Sequence, residues 1–204
     1  MLELKTRLVE EKVGNIDAWL QNDEEVAKQI IRNFSEINVD YNWYEYSIED
    51  FTNEIAKLGF NVETEDVLFR GFYSQGDGAS FTGNIDIIEY LKATKQLTKY
   101  SALRRAVENG SCYEHFEIVR KSSHYCHENT CVVEYLEYFE DEMGKKAKEQ
   151  AEELEAELEE KRYELCMKIY NRLDEEYSYL TSKEGIVETL RVNEYEFTEQ
   201  AEIA

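Results

Sequence analysis

The feature that most constrains this chain is a long run of helix-forming residues in its last third. After Gly144 the sequence reads KKAKEQAEELEAELEEKRYELCMKIYNRLDEEYSYL, and neither Gly nor Pro interrupts it. Strong helix formers dominate this run, so it predicts a single helix that ends near Leu180. At about 1.5 Å per residue such a helix would be roughly 55 Å long, which exceeds the width of a small domain.

The two halves of this predicted helix differ in their apolar residues. The first half carries few of them, apart from Leu154 and Leu158, whereas the second half carries a continuous stripe at helical spacing. This stripe consists of Leu165, Ile169, Leu173, Tyr177 and Leu180. We therefore expect the C-terminal half to pack on the core and the first half to project into solvent, towards a partner protein, or towards a second copy in a homo-oligomer.

The rest of the chain alternates helix signals with strand signals, which predicts an α+β fold. The expected architecture is a small antiparallel sheet of two hairpins packed against helices, together with the long acidic helix. One hairpin pairs residues 67–73 with 79–85, and the other pairs 114–121 with 124–136 through a turn at Ser122-Ser123. Helices are predicted over 47–58 and 87–109.

The same signals predict how the chain is organised. We expect one domain overall, without internal repeats or a low-complexity linker. Its successive parts are a helical N-terminal lead-in (1–35), an α+β core (36–140), the long acidic helix (141–181) and a C-terminal helix with a tail (182–204).

The charge of the chain limits its binding partners. It carries 45 acidic and 23 basic residues, which gives a formal net charge of −22. This charge would repel nucleic-acid phosphates and anionic membranes, so we expect neither to bind directly. It would attract a protein with a basic surface, and the long helix offers carboxylates that could mimic a nucleic acid. These candidate residues are Glu149, Glu152, Glu153, Glu155, Glu157, Glu159 and Glu160.

Hydropathy and cysteine content bear on the compartment. No segment approaches the ~18 consecutive apolar residues of a membrane span, and the first twenty residues contain no uninterrupted apolar run. We therefore expect a cytoplasmic protein, or one in the host cytoplasm if a phage encodes it. In that compartment the four cysteines are reduced thiols rather than a disulfide framework.

The segment FRGFYSQGDGASF at residues 69–81 is the clearest local motif. Its glycines suit a hairpin turn, because glycine adopts positive φ readily and an aspartate caps turns. A phosphate-binding loop would open onto a helix, whereas this motif continues as a strand. A turn does not require Gln75 or the neighbouring aromatic residues, so a recognition loop that presents Gln75 and Asp77 remains open.

A second constellation lies between residues 112 and 131, which hold all three His and three of the four Cys. A zinc site could be drawn from Cys112, His115, Cys126, His127 and Cys131. Their spacing matches none of the common zinc motifs, and Cys126 and His127 would face opposite sides of the predicted strand. We therefore predict no metal and no cofactor. A nucleophile pair of Cys126 or Cys131 with His124 or His127 also remains open.

Three stretches together resemble a known family. They are NVDYNWYEYSIEDFTNEIAKLGF with FRGFYSQGDGASFTG, then SSHYCHE, and then EEYSYLTSKEGIVETLRVNEYEFTE. They are similar to a family of small bacteriophage and prophage proteins with a G-F-x-S-Q-G-D-G-A-x-F core, some of which are labelled antitoxin of a toxin–antitoxin stability system. The resemblance covers residues 36–92, 114–133 and 170–199 and departs at Cys126, where the family pattern has an aromatic residue.

The resemblance implies a mobile-genetic-element setting and a shared ligand- or partner-binding set, without a catalytic residue. Carried over position by position, this set is Trp43, Phe72, Gln75, Gly76, Asp77, Gly78, Phe81, Tyr125, His127 and Glu128.

Charge, motifs and resemblance together favour a non-enzymatic binding protein from a phage or prophage that neutralises a host protein. That host protein would be a toxin or an anti-phage defence protein with a basic surface. One alternative is that the Gln-Gly-Asp-Gly hairpin, with His127 and Glu128, binds or sequesters a small ligand such as a nucleotide signal. The second alternative is a metal-dependent or Cys/His hydrolase built on the same residues.

Overall fold

The computed structural model describes residues 11–135 and 143–204, and it confirms the α+β fold class. The helices are α1 (Ile16–Asn22), α2 (Glu24–Asn33), α3 (Glu45–Ala56), α4 (Ile87–Ala93), α5 (Ser101–Glu108), α6 (Lys145–Leu180) and α7 (Lys183–Val192). The strands are β1 (Val13–Asn15), β2 (Phe60–Asn61), β3 (Val67–Arg70), β4 (Gly78–Phe81), β5 (Gly83–Asp86), β6 (His115–Arg120), β7 (Cys131–Glu134) and β8 (Glu196–Thr198). Short 3-10 helices cover Thr64–Asp66 and Glu128–Thr130.

The chain divides into two compact units, whose boundaries differ from those of the successive parts expected from the sequence. The terminal unit comprises the described residues up to Trp43 together with Glu175–Ala204, and the central unit comprises Tyr44–Asp174. Helix α6 contributes residues to both units.

The terminal unit joins the two ends of the described chain. Strand β1 pairs antiparallel with β8, and the indole N–H of Trp19 donates a hydrogen bond to the carbonyl oxygen of Phe197 at 3.0 Å. Trp19 and Phe197 are both buried in one apolar core with residues of α2 and α7. The predicted lead-in is therefore helical only from Ile16 onwards, because residues 13–15 form a strand. Residues 1–10 of the lead-in lie outside the described residues.

The central unit contains a four-stranded antiparallel sheet in the order β2-β5-β6-β7 and a separate hairpin of β3 and β4. Both predicted hairpins are present, β3 with β4 and β6 with β7, but they belong to different sheets rather than to one. The predicted strand over 79–85 is also two strands, because residues 83–85 form part of β5, which pairs with β2 and β6. The predicted helix over 87–109 is two helices, because Lys95 adopts a φ of +60°, which an α-helix excludes.

The prediction for the start of the second strand of the β6-β7 hairpin is wrong. This strand, β7, starts at Cys131 rather than at residue 124. Residues 121–130 instead form a connection that contains a 3-10 helix and places His124, Cys126 and His127 outside any strand.

Helix α6 confirms the uninterrupted helix predicted from the sequence, but the expectation that its first half projects is wrong. Ala147, Ala151, Leu154 and Leu158 are all buried. Their spacing places them on one face of the helix. Two of the four are alanines, whose small side chains allow close packing while contributing little to an apolar stripe in the sequence.

Gln150 shows how the first half of α6 is held in the central unit. Its side-chain oxygen accepts hydrogen bonds from the backbone N–H groups of Ala102 at 2.9 Å and Leu103 at 3.0 Å, in the first turn of α5. Its side-chain nitrogen donates to the carbonyl oxygen of Lys99 at 2.6 Å. Tyr100, the N-cap residue of α5, makes no side-chain capping bond, so Gln150 supplies that cap from another helix.

Glu157 makes a second anchor on the same face. It accepts hydrogen bonds from the hydroxyl of Tyr100 at 3.0 Å, from the ammonium of Lys99 at 3.2 Å and from the side chain of Gln96. Burial raises the pKa of the Glu157 carboxyl, but these three donors outweigh burial and the pKa lies below its ordinary value. The ionised form of Glu157 is therefore favoured by folding.

We expect Glu157→Gln to lower the free energy of unfolding by about 1 kcal/mol at pH 7. Because the folded pKa is depressed, the advantage of the wild type is present above the unfolded pKa of about 4.3 and is lost as the pH falls through the folded pKa. Urea titrations at several pH values measure this difference. The control Glu153→Gln removes an exposed partner of Lys99 and should change stability by less than about 0.5 kcal/mol. A pH-independent difference for Glu157→Gln would contradict the assignment.

Candidate functional site

The loop between β3 and β4 is closed by the carboxylate of Asp77. This carboxylate accepts hydrogen bonds from the backbone N–H groups of Tyr73, at 2.8 Å, and Ser74. The N–H of Asp77 donates to the carbonyl oxygen of Ser74 at 3.2 Å, and Gly76 has a φ of +89°, as the third residue of a type II turn requires. Asp77 is therefore a turn cap, as the sequence predicts, and Gln75 lies exposed at the tip.

The connection between β6 and β7 is held by side chains rather than by a sheet. Arg120 donates from Nε to the carbonyl oxygen of Ser122 at 2.7 Å and from Nη2 to that of Tyr125 at 2.9 Å. Nδ1 of His127 accepts the backbone N–H of Asn129 at 3.2 Å, which leaves the proton of the neutral ring on Nε2. The segment is thus fixed although it is mostly exposed.

Arg162 of α6 supports this connection from inside the unit. Its side chain is 2% exposed, and Nη1 donates to the carbonyl oxygen of Glu128 at 2.6 Å. Nε and Nη2 donate to the two carboxylate oxygens of Glu159 at 3.0 and 2.6 Å. Burial opposes the charge of the guanidinium, but Glu159 outweighs it and the pKa of Arg162 is raised. The carbonyl oxygen of Glu128, beside the candidate site, is therefore hydrogen-bonded to the buried, charged guanidinium of Arg162.

Two glycines allow the loop between β3 and β4 to contact the connection between β6 and β7. A Cβ on Gly76 would lie 2.7 Å from the ring of Tyr125, and a Cβ on Gly78 would lie 2.5 Å from Cα of His127. Both distances are shorter than any ordinary contact, so only glycine fits at these two positions. The Gln-Gly-Asp-Gly motif therefore serves more than its own turn, because it packs against residues that are about fifty positions away in sequence.

Two adjoining clefts follow this contact, with volumes of about 370 and 350 Å³. Both are lined by Gln75, Gly76, Asp77 and Tyr125. The first cleft adds His127, Glu128 and Asn129, and the second adds Arg70, Gly71, Ser74 and His124. We call the residues of 70–77 and 124–129 that line these clefts, together with the exposed Tyr73 between them, the loop surface.

The structure brings together part of the set implied by the resemblance and separates the rest. Gln75, Gly76, Asp77, Tyr125, His127 and Glu128 line the clefts, and Gly78 contacts His127 beneath them. Phe72 stacks on Tyr170 of α6 with ring centroids 5.7 Å apart, and Phe81 is fully buried in the core beside Phe51. Trp43 belongs to the terminal unit, where its ring lies 5.6 Å from that of Tyr177.

The seven glutamates proposed as an acidic surface differ in their exposure and in their hydrogen bonds. Glu157 and Glu159 accept hydrogen bonds inside the unit, and Glu159 also accepts the backbone N–H of Val133 in β7 at 2.8 Å. Glu155 is half-buried, and burial raises the pKa of its carboxyl. The four that remain exposed are Glu149, Glu152, Glu153 and Glu160.

The candidate zinc ligands have separate environments. Sγ of Cys131 lies 3.3 Å from Nη1 of Arg162, and His115 lies 3.2 Å from Glu117. In the part of the chain that the structure describes, no three His, Cys, Asp or Glu side chains are grouped to hold a metal ion. Over the same residues, neither His124 nor His127 forms a hydrogen bond with a cysteine thiol. The cysteine and histidine side chains considered for a nucleophile pair are therefore not hydrogen-bonded to each other in the described residues.

Sequence reasoning missed the two arginines that build the site, Arg120 and Arg162. Arg162 carries a weak signal, because it interrupts the apolar face of α6 between Leu158 and Leu165.

Over residues 11–135 and 143–204, no helix combines the length and the apolar character that a membrane span needs.

The comparisons with known proteins add a family but no activity. No curated protein and no solved structure matches the chain. A domain of unknown function, DUF8835, matches residues 43–183, which is more than half of the chain and includes all of the central unit. The match contains both segments of the loop surface. The chain therefore belongs to the DUF8835 family.

Proposed function

We propose that this protein is a non-enzymatic binding protein that captures a partner protein through the loop surface. The observation that carries the proposal is the contact of Gly76 with the Tyr125 ring, which holds two distant loops together and leaves Gln75 and Tyr125 exposed. The titratable groups that could have served catalysis are used differently: Asp77 caps its turn, and Nδ1 of His127 accepts a backbone N–H. The arrangement suits recognition rather than chemistry.

The exposed aromatic residues on these loops support a protein partner. Tyr73 is 79% exposed and Tyr125 is 41% exposed. Tyrosine is enriched in protein interfaces because it offers a large, rigid contact area with a hydroxyl at its end. A rigid loop also binds at a lower cost in conformational entropy than a disordered one.

The expected class of partner follows from charge and from the phage resemblance. A net charge of −22 favours a partner with a basic surface, and the resemblance favours a host toxin or anti-phage defence protein in the cytoplasm. The attraction comes from the charge of the whole protein rather than from an acidic arm, because Glu157 and Glu159 are used within the fold. The four exposed glutamates of α6 remain available to contribute to nucleic-acid mimicry.

Capture from host lysate with the immobilised protein tests the proposal. We expect the wild type to retain a partner and Gln75→Ala to weaken its binding at least about tenfold, which corresponds to about 1.4 kcal/mol. The variants Tyr73→Ser and Tyr46→Ser are a matched pair, because each removes an equally exposed tyrosine: Tyr73 lies on the loop surface, whereas Tyr46 lies on α3 and is 78% exposed. Only the first of these two should lose the partner. Equal capture by wild type, Gln75→Ala and Tyr73→Ser would contradict the proposal.

A small anionic ligand is a second candidate, favoured by the basic lining of one cleft. Arg70 and His124 line it beside the ring of Tyr125, and among the described residues Arg70 forms no ion pair. Such a lining suits a nucleotide whose base stacks on the tyrosine. Native mass spectrometry of the purified protein would detect a retained ligand, which Arg70→Gln should lose. A wild type without ligand and without a thermal shift from a panel of nucleotides rejects this candidate.

A further inference from the structure

Two cysteines and an arginine form a buried group beneath the loop surface. Cys131 at the start of β7 is 1% exposed, and Cys166 on α6 is fully buried. Nη1 of Arg162 lies 3.3 Å from Sγ of Cys131 and 3.6 Å from Sγ of Cys166. Both sulfurs therefore contact the same guanidinium nitrogen. Neither the candidate site nor the proposed function uses this pair.

The surroundings of the pair favour one thiolate and one thiol. The neighbouring Cys166 thiol and the charge of Arg162 lower the pKa of Cys131, and they outweigh burial, which opposes its ionisation. The pKa of Cys166 is raised by its interaction with Cys131 and by burial, and its ionisation would place a second negative charge beside Cys131. A thiolate is the reactive form of cysteine in nucleophilic and redox chemistry.

We propose that Cys131 and Cys166 are a redox-active pair that a small hydroperoxide converts into a disulfide. The Cys131 thiolate attacks one peroxide oxygen, the O–O bond breaks, and hydroxide leaves, so that Cys131 becomes a sulfenic acid. The Cys166 thiol then attacks the sulfenic sulfur, and its proton leaves with the hydroxyl group as water. Hydroxide takes a proton from solvent, so two thiols lose two electrons and the peroxide becomes two water molecules.

The class of oxidant follows from burial. Cys131 and Cys166 are 1% and 0% exposed, so a disulfide such as oxidised glutathione is too large to approach them, whereas hydrogen peroxide, which is close to water in size, needs only a small local opening of the fold. The carbonyl oxygen of Glu128, in the connection 121–130, accepts a hydrogen bond from the same arginine, Arg162. Oxidation removes the thiolate that Arg162 contacts, so its effect extends to the support of this connection.

The chain supplies its own comparison thiols. Cys126 is more exposed than either member of the pair, so accessibility alone would make it react first. Cys112 is buried without a cationic partner among the described residues, and burial raises the pKa of its thiol. Because Cys126 also lies 3.9 Å from Nη2 of Arg120, a preference for Cys131 over both would reflect the second thiol, Cys166, rather than exposure or a nearby cation alone.

Peptide mapping after oxidation tests the proposal. The native protein is treated with hydrogen peroxide for increasing times, quenched, unfolded, alkylated with N-ethylmaleimide and digested. We expect a linked Cys131–Cys166 peptide pair that dithiothreitol separates and that forms before Cys126 is lost. In urea this preference should disappear. The variant Cys126→Ser should form the linked pair at the wild-type rate.

Three outcomes would overturn the proposal. The first is loss of Cys126 while Cys131 and Cys166 still react with N-ethylmaleimide after unfolding. The second is a linked pair that forms at the same rate in urea. The third is a sulfenic acid on Cys131 that dimedone traps in the wild type without any linked pair. In Cys166→Ala the same trapped sulfenic acid is the expected result, because the second thiol is missing.

Discussion

Replacing Gly78 by alanine is expected to lower the free energy of unfolding by about 3 kcal/mol. The added Cβ would lie 2.5 Å from Cα of His127, which is a backbone atom and cannot rotate away. The two segments of the loop surface would have to separate to accommodate it. Urea denaturation followed by circular dichroism measures the loss. The substitution His127→Ala should not rescue the variant, because the backbone contact remains.

Gly110→Ala and Gly76→Ala are the matched controls for this prediction. Gly110 has a φ of +71°, and a Cβ added there would meet nothing within 4 Å, so its substitution carries only the backbone cost of about 1 kcal/mol. Gly76 has a similar φ of +89°, but its Cβ would meet the Tyr125 ring. Gly76→Ala should therefore cost more than Gly110→Ala, and Tyr125→Ala should remove the excess. Equal losses for Gly78→Ala and Gly110→Ala would contradict the packing of the two loops.

Replacing Arg162 by methionine is expected to destabilise the protein by about 3 to 5 kcal/mol. The change keeps an apolar stem but removes the donors to Glu128, Glu159 and the Cys131 sulfur. A partly buried carbonyl and a half-buried carboxylate would then lose their partner, which costs more than the pair itself contributes. Chemical denaturation with urea measures this effect, and hydrogen exchange of residues 124–130 should show whether their support is lost.

Lys161→Met is the control for Arg162→Met, because Lys161 is the preceding residue on the same helix. Its side chain is 37% exposed and pairs only with Glu164 among the described residues. The expected loss is below about 1 kcal/mol. If both variants had the same stability, Arg162 would not be a structural support of the loop surface.

Local chemistry explains which parts of the fold could be predicted from the sequence. Helix α6 needs only a run of helix formers, and the cap of Asp77 on its own turn involves residues three and four positions away. The burial of the first half of α6 could not be predicted, because Ala147 and Ala151 contribute little to hydropathy while allowing close packing. The start of β7 could not be placed either, because side-chain bonds from Arg120, rather than strand pairing, fix residues 122–125.

In the candidate site, too, some residues could be predicted from the sequence and others could not. The family resemblance places Gln75, Tyr125 and His127 in one set on the basis of sequence alone. The contacts of Gly76 with Tyr125 and of Gly78 with His127 give the structural reason for this grouping. The same grouping includes Phe81 and Trp43, which lie in the core and in the terminal unit. A pattern cannot separate residues that support a site from residues that line it. Arg162 is marked in the sequence only by its place on the apolar face of α6, because a cation among many glutamates otherwise resembles an ordinary helix surface.

Site-specific photocrosslinking tests the central claim most directly. A photoreactive amino acid is placed at Gln75, at His124 on the other loop, or at Tyr46 on α3 as the control, and the protein is irradiated in host extract. We predict that positions 75 and 124 crosslink to the same protein and that position 46 does not. Different partners at 75 and 124, or the same partner at all three positions, would contradict a single recognition surface formed by the two loops.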